Sequence, residues 1–389
     1  MTNPEPTNPN TDPDWAVLAS LVGDAACFAS VHWGRLPMHR ATGCSFEHLL
    51  SVGRIEELLA TAARRPTFRL VRDGVTLPDA RSTRPLRLGG KLIDDVADLG
   101  VIASALHEGA TLVMQSLQRT VGDIATFCRS LERATSHPVQ ANAYLTPPGA
   151  SGLAAHTDDH DVFVLQISGH KDWSIEGLGD LRLKAGDVLY LPSGTRHAAT
   201  APDMASLHLT IGVLSVTYGA VLHRTVDALA VAELRRPLPL GYARPGAAGL
   251  EDGLRTAIRE VAAVLSNADT GAVVDREVAV AQHRRRPIGL GLLQSVLELD
   301  ALRLTDMVRL RPDAAAWITM SAKTGHVGLR LVDRQMTLPA AMRPALEHLL
   351  AGDPVVVADL PGLDEGSQLV LARRLLREVI LEQIVPGRS

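Results

Sequence analysis

Hydrophobic and polar positions alternate in short runs through the middle of the chain. Between Val139 and Tyr218 the segments QANAYLTPP, DVFVLQISG, KDWSIEG, GDVLYLP and SLHLTIGVLSV each have the pattern of a strand. Turn residues separate them at intervals typical of a sandwich or a barrel. The pattern therefore predicts a β-domain over this region.

The segments before this region mix the two periodicities. SVGRIEELLATAARRP places Ile55 and Leu58 at helical spacing, and the helix is expected to stop at Pro66. TFRLVRDG alternates like a strand and closes on an Asp73-Gly74 turn. GATLVMQSLQR predicts another strand, and VGDIATFCRSLERAT predicts a helix after it.

Apolar residues recur three and four positions apart from about Ala220 onward. DALAVAELRRP and the long run from Glu251 to Pro287, which includes Leu254 and Ile258, have this spacing. They predict a helical region that Pro287 ends. The region is too apolar to be stable as a short bundle alone, so burial in a symmetric homodimer is expected.

The last hundred residues mix strands and helices again. AAWITMSAKTGHVGLRLVDRQMTLP is predicted to form a hairpin. AAMRPALEHLLAG and GSQLVLARRLLREVILEQIV are predicted to form helices. This order suits a small winged-helix module.

Composition narrows the choice of protein class. The 389 residues suggest two or three domains, and a net charge of −4 argues against sequence-independent binding to nucleic acid or anionic membrane. Cys27, Cys44 and Cys128 have no CxxC spacing, which favours a reducing cytoplasm. No apolar run approaches the ~20 residues that span a bilayer, and the Pro-rich residues 1–14 are expected to form a disordered tail.

The stretch AHTDDHDVFVLQISG places charged groups directly in front of an apolar strand. His156, Asp158 and His160 share one face if the segment is extended, and Asp159 points to the other. Charges at the end of a buried strand need a partner. Either these side chains coordinate a metal ion, or they form a cluster of hydrogen-bonded polar groups at the rim of a barrel.

A second stretch, GDVLYLPSGTRHAA, supplies another histidine after a strand. His197 lies 41 residues beyond His156, which leaves room for two or three intervening strands. Two histidines and one carboxylate with open coordination positions form the facial triad suited to non-haem iron(II). The pattern therefore favours a metal site of His156, Asp158 and His197.

These motifs carry a family resemblance. ANAYLTPPGASGLAAHTDDHDVFVLQISGHKDWSIEG, GDVLYLPSGTRHAA and SLHLTIGV together resemble the ribosomal oxygenases, which are JmjC-type, cupin-fold dioxygenases dependent on iron and 2-oxoglutarate. The resemblance is strong from Gln140 to Gly212. It implies an α+β fold: a double-stranded β-helix (cupin/JmjC jelly roll), a helical dimerisation region and a C-terminal winged-helix-like domain.

The resemblance also implies domain boundaries and residue roles. The boundaries are a tail at 1–14, a catalytic domain at 15–219, a helical region at 220–288 and a winged-helix-like domain at 289–389. The implied catalytic iron ligands are His156, Asp158 and His197. Lys171 matches the lysine that pairs with the distal carboxylate of 2-oxoglutarate, and the implied co-substrate pocket also contains Asn142, Tyr144 and Thr210.

Two positions depart from the family pattern. Gly212 stands where a serine often occurs, two residues beyond Thr210. His160 stands where an aliphatic or small residue is expected, and it is a candidate for substrate contact. The spacing between the histidines is also short, so trimmed loops are expected around the substrate groove.

The resulting functional hypothesis is a cytoplasmic, homodimeric oxygenase with Fe(II), 2-oxoglutarate and O₂. Its expected substrate is a side chain, histidine or arginine favoured, of a ribosomal protein or of a peptide natural-product precursor. One alternative is a cupin metal dioxygenase that does not use 2-oxoglutarate. The other is a cupin-sensor transcription regulator, against which the apolar AAMRPALEHLLAG helix argues because a recognition helix concentrates basic and polar groups.

Overall fold

The chain is described by a computed structural model over residues 15–79, 82–151, 153–228, 232–244, 249–284, 292–311, 314, 316–321, 323–331 and 334–384. The described residues up to Ser215 and from 292 onward form one compact unit, and Val216–Arg284 form a second. The predicted tail at 1–14 and the predicted helix end at Pro287 lie outside the described residues. The predicted domain boundaries stay predictions.

The N-terminal part consists of short helices and strands. They are α1 (Ala16–Val22), α2 (Ala25–Cys27), a π-helical turn (Phe28–His32), β1 (Met38–Ala41), α3 (Val52–Thr61), β2 (Phe68–Arg72), β3 (Val75–Thr76), β4 (Thr83–Leu88), β5 (Lys91–Ala97), α4 (Leu99–His107), β6 (Thr111–Met114), a 3₁₀ turn (Leu117–Arg119) and α5 (Gly122–Thr135). The two predicted helices and two predicted strands are confirmed as α3, α5, β2 and β6. The Ser51 hydroxyl accepts a hydrogen bond from the Arg54 amide and so begins α3.

The central β-domain follows directly. Its strands are β7 (Val139–Thr146), β8 (Ala150–Ser151), β9 (Asp161–Ser168), β10 (His170–Ile175), β11 (Gly179–Lys184), β12 (Asp187–Leu191), β13 (His197–Ala201) and β14 (Ser206–Val213). All five predicted strand segments are confirmed. The expectation of two or three strands between His156 and His197 is wrong, because very short turns fit β9 to β12 into that interval.

Two antiparallel sheets make up this domain. One has the order β1-β12-β9-β14-β7-β6-β2-β3 and the other the order β11-β10-β13-β8. From β9 to β14 the chain crosses between the sheets four times, and β10 and β11 form a hairpin within the second sheet, so the chain winds as a double-stranded β-helix. The predicted jelly roll is confirmed.

The alternation of side chains along β9 separates two apolar cores. Phe163 and Leu165 pack into the large core that the N-terminal helices share, whereas Val162 and Val164 pack with Trp173 in the core between the two sheets. Because β9 is buried on both faces, its residues 162–165 are all apolar and do not alternate with polar ones. The face that carries Val162 and Val164 also lines the cavity described below.

A single glycine connects β9 to β10, the strand of the other sheet. Gly169 has φ of +65°, and a Cβ there would overlap the carbonyl oxygen of Ala205. Only glycine therefore fits this one-residue connection. The turn brings Lys171 into the second sheet only three residues after β9 ends.

The second unit is helical. It contains α6 (Tyr218–Ala228), a 3₁₀ turn (Ala232–Arg235), α7 (Leu250–Ser266) and α8 (Thr270–Arg284). The predicted helical region is confirmed by α6, α7 and α8. Within DALAVAELRRP, residues 229–231 lie outside the described residues, and the 3₁₀ turn stops shortly before Pro237. A proline disfavours helical geometry at the residue that precedes it.

The C-terminal module has its own apolar core. Its elements are α9 (Leu292–Glu298), a 3₁₀ turn (Leu299–Ala301), β15 (Met307–Leu310), β16 (Ala316–Met320), β17 (His326–Leu331), β18 (Gln335–Pro339), a 3₁₀ turn (Ala340–Met342), α10 (Arg343–Leu350), β19 (Val355–Val356), a 3₁₀ turn (Val357–Asp359), α11 (Glu365–Arg377) and β20 (Leu381–Ile384).

Two predictions about this module need correction. The expected hairpin is a three-stranded meander of β16, β17 and β18, since the segment turns twice. The expected last helix stops at Arg377, and β20 follows and pairs with β15. Val379, with φ of +64°, lies at this break and cannot continue a helix.

No helix among the described residues is long and apolar enough to cross a membrane.

Candidate metal centre

A pair of backbone hydrogen bonds holds two histidines side by side. The amide of His156 donates to the carbonyl of His197 at 3.0 Å, and the reverse bond measures 2.9 Å. This isolated antiparallel bridge puts the two ring centroids 4.4 Å apart. The segment around His156 is otherwise not a strand, so the bridge to β13 fixes its position.

Asp158 is fixed by the turn that precedes His197. Its carbonyl accepts a hydrogen bond from the Gly194 amide at 2.8 Å. The buried carboxylate of Asp161 accepts one from the Ser193 amide, also at 2.8 Å. The Ser193-Gly194 turn is therefore attached to both ends of the segment that carries Asp158. Asp161 was not singled out from the sequence.

The three predicted ligands converge. The possible donor atoms of His156, Asp158 and His197 all lie within 4.8 Å of one another. The carboxylate oxygens of Asp158 lie 3.8 Å from Nε2 of His156 and 3.7 Å from Nε2 of His197. Asp159 points away, with its carboxylate fully exposed, as the alternation predicts.

Backbone carbonyls fix the histidine tautomers. Nδ1 of His156 lies 2.8 Å from the Ala154 carbonyl oxygen, and Nδ1 of His197 lies 3.0 Å from that of Thr195. A carbonyl oxygen only accepts, so each Nδ1 carries the proton and each Nε2 keeps its lone pair. Burial lowers the pKa of His197 and favours its neutral form. Neutral imidazoles anchored in this way are typical metal ligands.

A cavity of about 240 Å³ extends from the triad into the space between the two sheets. Its lining contains all the predicted site residues, together with several others. These residues are Arg69, Asn142, Tyr144, Leu153, His156, Asp158, His160, Val162, Val164, Lys171, Trp173, Leu191, His197, Ala199, His208 and Thr210.

Lys171 lies in this cavity as a buried cation. The residue is only 2% exposed, and its Nζ donates to the Thr146 hydroxyl at 3.1 Å. Burial lowers the pKa of Lys171 to about 8, and no charged partner among the described residues offsets it. An ammonium buried with a single hydroxyl contact is costly unless an anion approaches it.

Neighbouring strands carry the other predicted co-substrate residues. Asn142 on β7 lies directly opposite Thr210 on β14, and Tyr144 lies opposite His208. The Asn142 side-chain oxygen accepts a hydrogen bond from the Ser116 amide at 3.0 Å, which fixes the amide group. The structure thus brings Asn142, Tyr144 and Thr210 to the same face, and their roles stay predictions.

His160 and Gly212, the two departures from the family pattern, are in contact. An ideal Cβ at Gly212 would lie 2.6 Å from Nε2 of His160 and 2.8 Å from its Cδ2. Nδ1 of His160 lies 2.8 Å from the Asp159 carboxylate, which orients the ring. The imidazole therefore occupies the space that a side chain at position 212 would need.

This contact predicts a compensating pair of substitutions. Gly212→Ser alone should destabilise the fold by about 1–3 kcal/mol through overpacking. Adding His160→Ala should recover most of that loss, because it frees the space beside Cα of position 212. Thermal unfolding of the two single variants and the double variant measures the coupling, and purely additive shifts would contradict it.

The sequence did not single out Arg69, Trp173 or His208. Arg69 lies in a row of residues that face one another across four neighbouring strands. In this row Arg69 is opposite Val113, Val113 is opposite Tyr144, and Tyr144 is opposite His208. Such a row depends on register between distant strands. His208 and Trp173 could have been found, since each lies two residues along its strand from a predicted site residue.

A family model described as the JmjC domain matches residues 113–178 and 174–221. The bifunctional lysine-specific demethylase and histidyl-hydroxylase NO66 of Branchiostoma floridae is 36% identical over 179 residues, covering 42% of this chain and 29% of that protein. Ribosomal oxygenase 1 of Gallus gallus is 32% identical over 195 residues, covering 41% and 32%. The chain spans about a third of the length of these curated relatives.

A solved structure also resembles the whole chain. The ribosomal oxygenase YcfD of Escherichia coli, in complex with cobalt and 2-oxoglutarate, has a TM-score of 0.50 at 16% identity, covering 92% of this chain and 98% of that one. The fold and the triad thus define a cupin-type JmjC domain with a two-histidine, one-carboxylate centre. Residues 113–221 are thus similar to the JmjC domain, and the curated relatives and the solved structure support a likeness to the JmjC/cupin ribosomal oxygenases.

Proposed function

We propose that the protein is an iron(II)- and 2-oxoglutarate-dependent oxygenase that hydroxylates a side chain of a protein or peptide. One arrangement carries the proposal: the cavity has the triad among its lining residues together with a buried lysine that has no charged partner among the described residues. A metal chelated by one end of a dianion, with a cation at the other end, fits this arrangement.

The donor set fits the metal. Two neutral imidazole nitrogens and one carboxylate oxygen suit iron(II) and leave positions for a chelating ligand and O₂. His156, Asp158 and His197 would hold the ion. The similar E. coli structure contains cobalt and 2-oxoglutarate, which agrees with a metal ion at the triad and a chelating 2-oxoglutarate beside it.

The inner lining fits the co-substrate. Lys171 would pair with the distal carboxylate, and Asn142, Tyr144 and Thr210 would line the sides of the bound molecule. Bound iron and 2-oxoglutarate would supply an oxidation in which 2-oxoglutarate loses CO₂ and becomes succinate. One atom of O₂ would enter succinate, and the other would become the hydroxyl group on the substrate carbon. The apolar side chains of Val162 and Val164 would keep bulk water from the inner part of the cavity.

The substrate is proposed from the relatives and from the outer lining of the cavity. The relatives' names describe a histidyl-hydroxylase and a ribosomal oxygenase, so we favour a histidine or arginine side chain of a ribosomal protein. A peptide natural-product precursor is the second substrate class. His160, beside the triad and partly exposed, would contact the incoming chain.

Cys27, Cys44 and Cys128 are free thiols, which fits the proposed cytoplasmic location.

A homodimer is proposed through the helical unit. α7 is amphipathic in sequence but buries none of its residues, and Leu254 and Ile258 are 58% and 59% exposed. These two side chains lie four residues apart, so they share one face of the helix. A second copy of the chain would cover this face and remove apolar surface from water.

Charge on that face should disrupt the dimer. The double variant Leu254→Glu/Ile258→Glu should have the mass of one chain by light scattering at concentrations where the native protein has twice that mass. Thr256→Glu, on the opposite side of α7, is the matched control and should leave the mass unchanged. A native protein that is monomeric throughout would contradict the proposal.

The test of the proposed activity is an anaerobic titration. Iron(II) and then 2-oxoglutarate are added to the metal-free protein, and the visible spectrum is recorded. A charge-transfer band that requires both additions is expected, because only bidentate chelation at the triad produces it. Iron binding without the band would favour a cupin dioxygenase that does not use 2-oxoglutarate. Absence of iron binding would favour the regulator alternative.

A further inference from the structure

The side chain of His208 lines the cavity, and its Nδ1 has no hydrogen-bond partner among the described residues. It lies on β14 between two aromatic rings: Tyr144 stacks on it with centroids 5.0 Å apart, and Trp173 meets it edge-on at 5.6 Å. The residue is 3% exposed and belongs to the cavity lining. A polar ring held this firmly in a buried position normally has a partner for at least one nitrogen.

The ring nitrogens differ in their surroundings. Nδ1 is sealed from solvent and has no hydrogen-bond partner among the described residues. Burial and the nearby Lys171 ammonium lower the pKa of His208 well below its usual value, so the ring is neutral. A neutral imidazole carries one N–H. With no acceptor at Nδ1, the proton belongs on Nε2, where a ligand can accept it.

Lys171 has a complementary requirement. The only hydrogen bond of its ammonium group to the described residues goes to the hydroxyl of Thr146, which is itself fully buried. Lys171 and His208 line the same cavity, and neither side chain has an anionic partner among the described residues. Together they present two nitrogen donors, and a carboxylate has two oxygens to accept them.

We infer that His208 is a positioning residue that donates from Nε2 to the distal carboxylate of the co-substrate, beside the ammonium of Lys171. This inference rests on the proposed function and adds a residue that the family resemblance does not supply. The two donors would fix the carboxylate at a set distance from the triad. They would therefore select a five-carbon dicarboxylate over a keto acid of equal length with a methyl end.

The experiment compares two ligands on cobalt-loaded protein by calorimetry. One is 2-oxoglutarate, and the other is 2-oxopentanoate, which has a methyl group in place of the distal carboxylate. His208→Phe keeps the ring shape between Tyr144 and Trp173 but has no donor. It should weaken 2-oxoglutarate roughly tenfold, the effect of one hydrogen bond to a charged group. Its affinity for 2-oxopentanoate should stay within a factor of two or so of native.

Two amide variants test the position of the donor. The amide nitrogen of His208→Gln can reach the place of Nε2, whereas that of His208→Asn reaches only the place of Nδ1. The glutamine variant should retain most of the native affinity for 2-oxoglutarate, and the asparagine variant should lose it. If the phenylalanine variant does not fold, this comparison still tests whether His208 donates from Nε2 to the distal carboxylate.

The contrary outcomes are separable. Native affinity for 2-oxoglutarate in His208→Phe, or an equal loss for both ligands, would overturn the role of His208 and leave the proposed function standing. A native protein that binds neither ligand, or does not distinguish them, would overturn the proposed function and the inference together.

Discussion

Replacing His197 by alanine is expected to abolish tight iron(II) binding and, with it, the proposed turnover of 2-oxoglutarate. The variant keeps one imidazole and one carboxylate, and two protein ligands do not hold a divalent ion firmly. Loss of a group that merely orients a ligand costs about 10–100-fold in metal affinity. Loss of the ligand itself should therefore exceed roughly 100-fold. His197 is 6% exposed, so solvent replaces it poorly.

The measurement is equilibrium dialysis against iron(II) under anaerobic conditions, with cobalt(II) absorption as a second readout. His170→Ala is the matched control, because His170 is also a strand histidine but pairs with Asp203 outside the cavity. The control should bind metal like the native protein. Unchanged iron affinity in His197→Ala would contradict the triad.

Lys171→Met should have two opposite effects. It removes the cation that pairs with the distal carboxylate, so the affinity for 2-oxoglutarate should fall by about 3 kcal/mol, or roughly 100-fold. It also removes a buried charge whose pKa is lowered to about 8. The ligand-free protein should therefore become more stable, by an amount on the order of 3 kcal/mol near neutral pH.

The pH dependence of this gain follows from the direction of the shift. Lys171 has a lower pKa in the folded chain than in the unfolded chain, so protonation destabilises the fold. The gain from methionine should be complete below pH 8. It should shrink as the pH rises from about 8 to the ordinary lysine value of ~10.4.

Thermal unfolding and 2-oxoglutarate titration of the metal-loaded protein together test this prediction. Lys184→Met is the matched control, since Lys184 lies on β11, exposed, opposite His170. It should change neither quantity by much. A Lys171→Met variant that binds 2-oxoglutarate normally, or that is less stable than the native protein, would contradict the role of Lys171 as a buried cation that pairs with the distal carboxylate.

The triad could be predicted because its signal is local and chemical. His156 and Asp158 are two residues apart, and His197 follows a turn after an apolar strand, so type and spacing were enough. The β-domain was predictable for the same reason, since its short strands are separated by turn residues. The jelly roll itself was implied by the family resemblance. Lys171 required the family resemblance, because nothing in its own sequence distinguishes a buried lysine from an exposed one.

What escaped prediction depends on register and on packing between distant strands. Arg69 reaches the cavity only through the pairing of β2, β6, β7 and β14. The contact between His160 and Gly212 joins residues that the sequence identified separately as departures. The strand count between the histidines was wrong because the connections from β9 to β12 are only one to three residues long. In each case the missing information was three-dimensional proximity, which spacing does not contain.

The reciprocal hydrogen bonds between His156 and His197 have a consequence for folding. An ion held by both residues would act as a reversible crosslink that closes a loop of 41 residues and four strands. The unfolded chain has no preformed site, so iron would bind the folded chain and add its binding free energy to the free energy of unfolding. Iron would then be part of the architecture of the jelly roll, and a cell short of iron would hold less of this protein in its folded form.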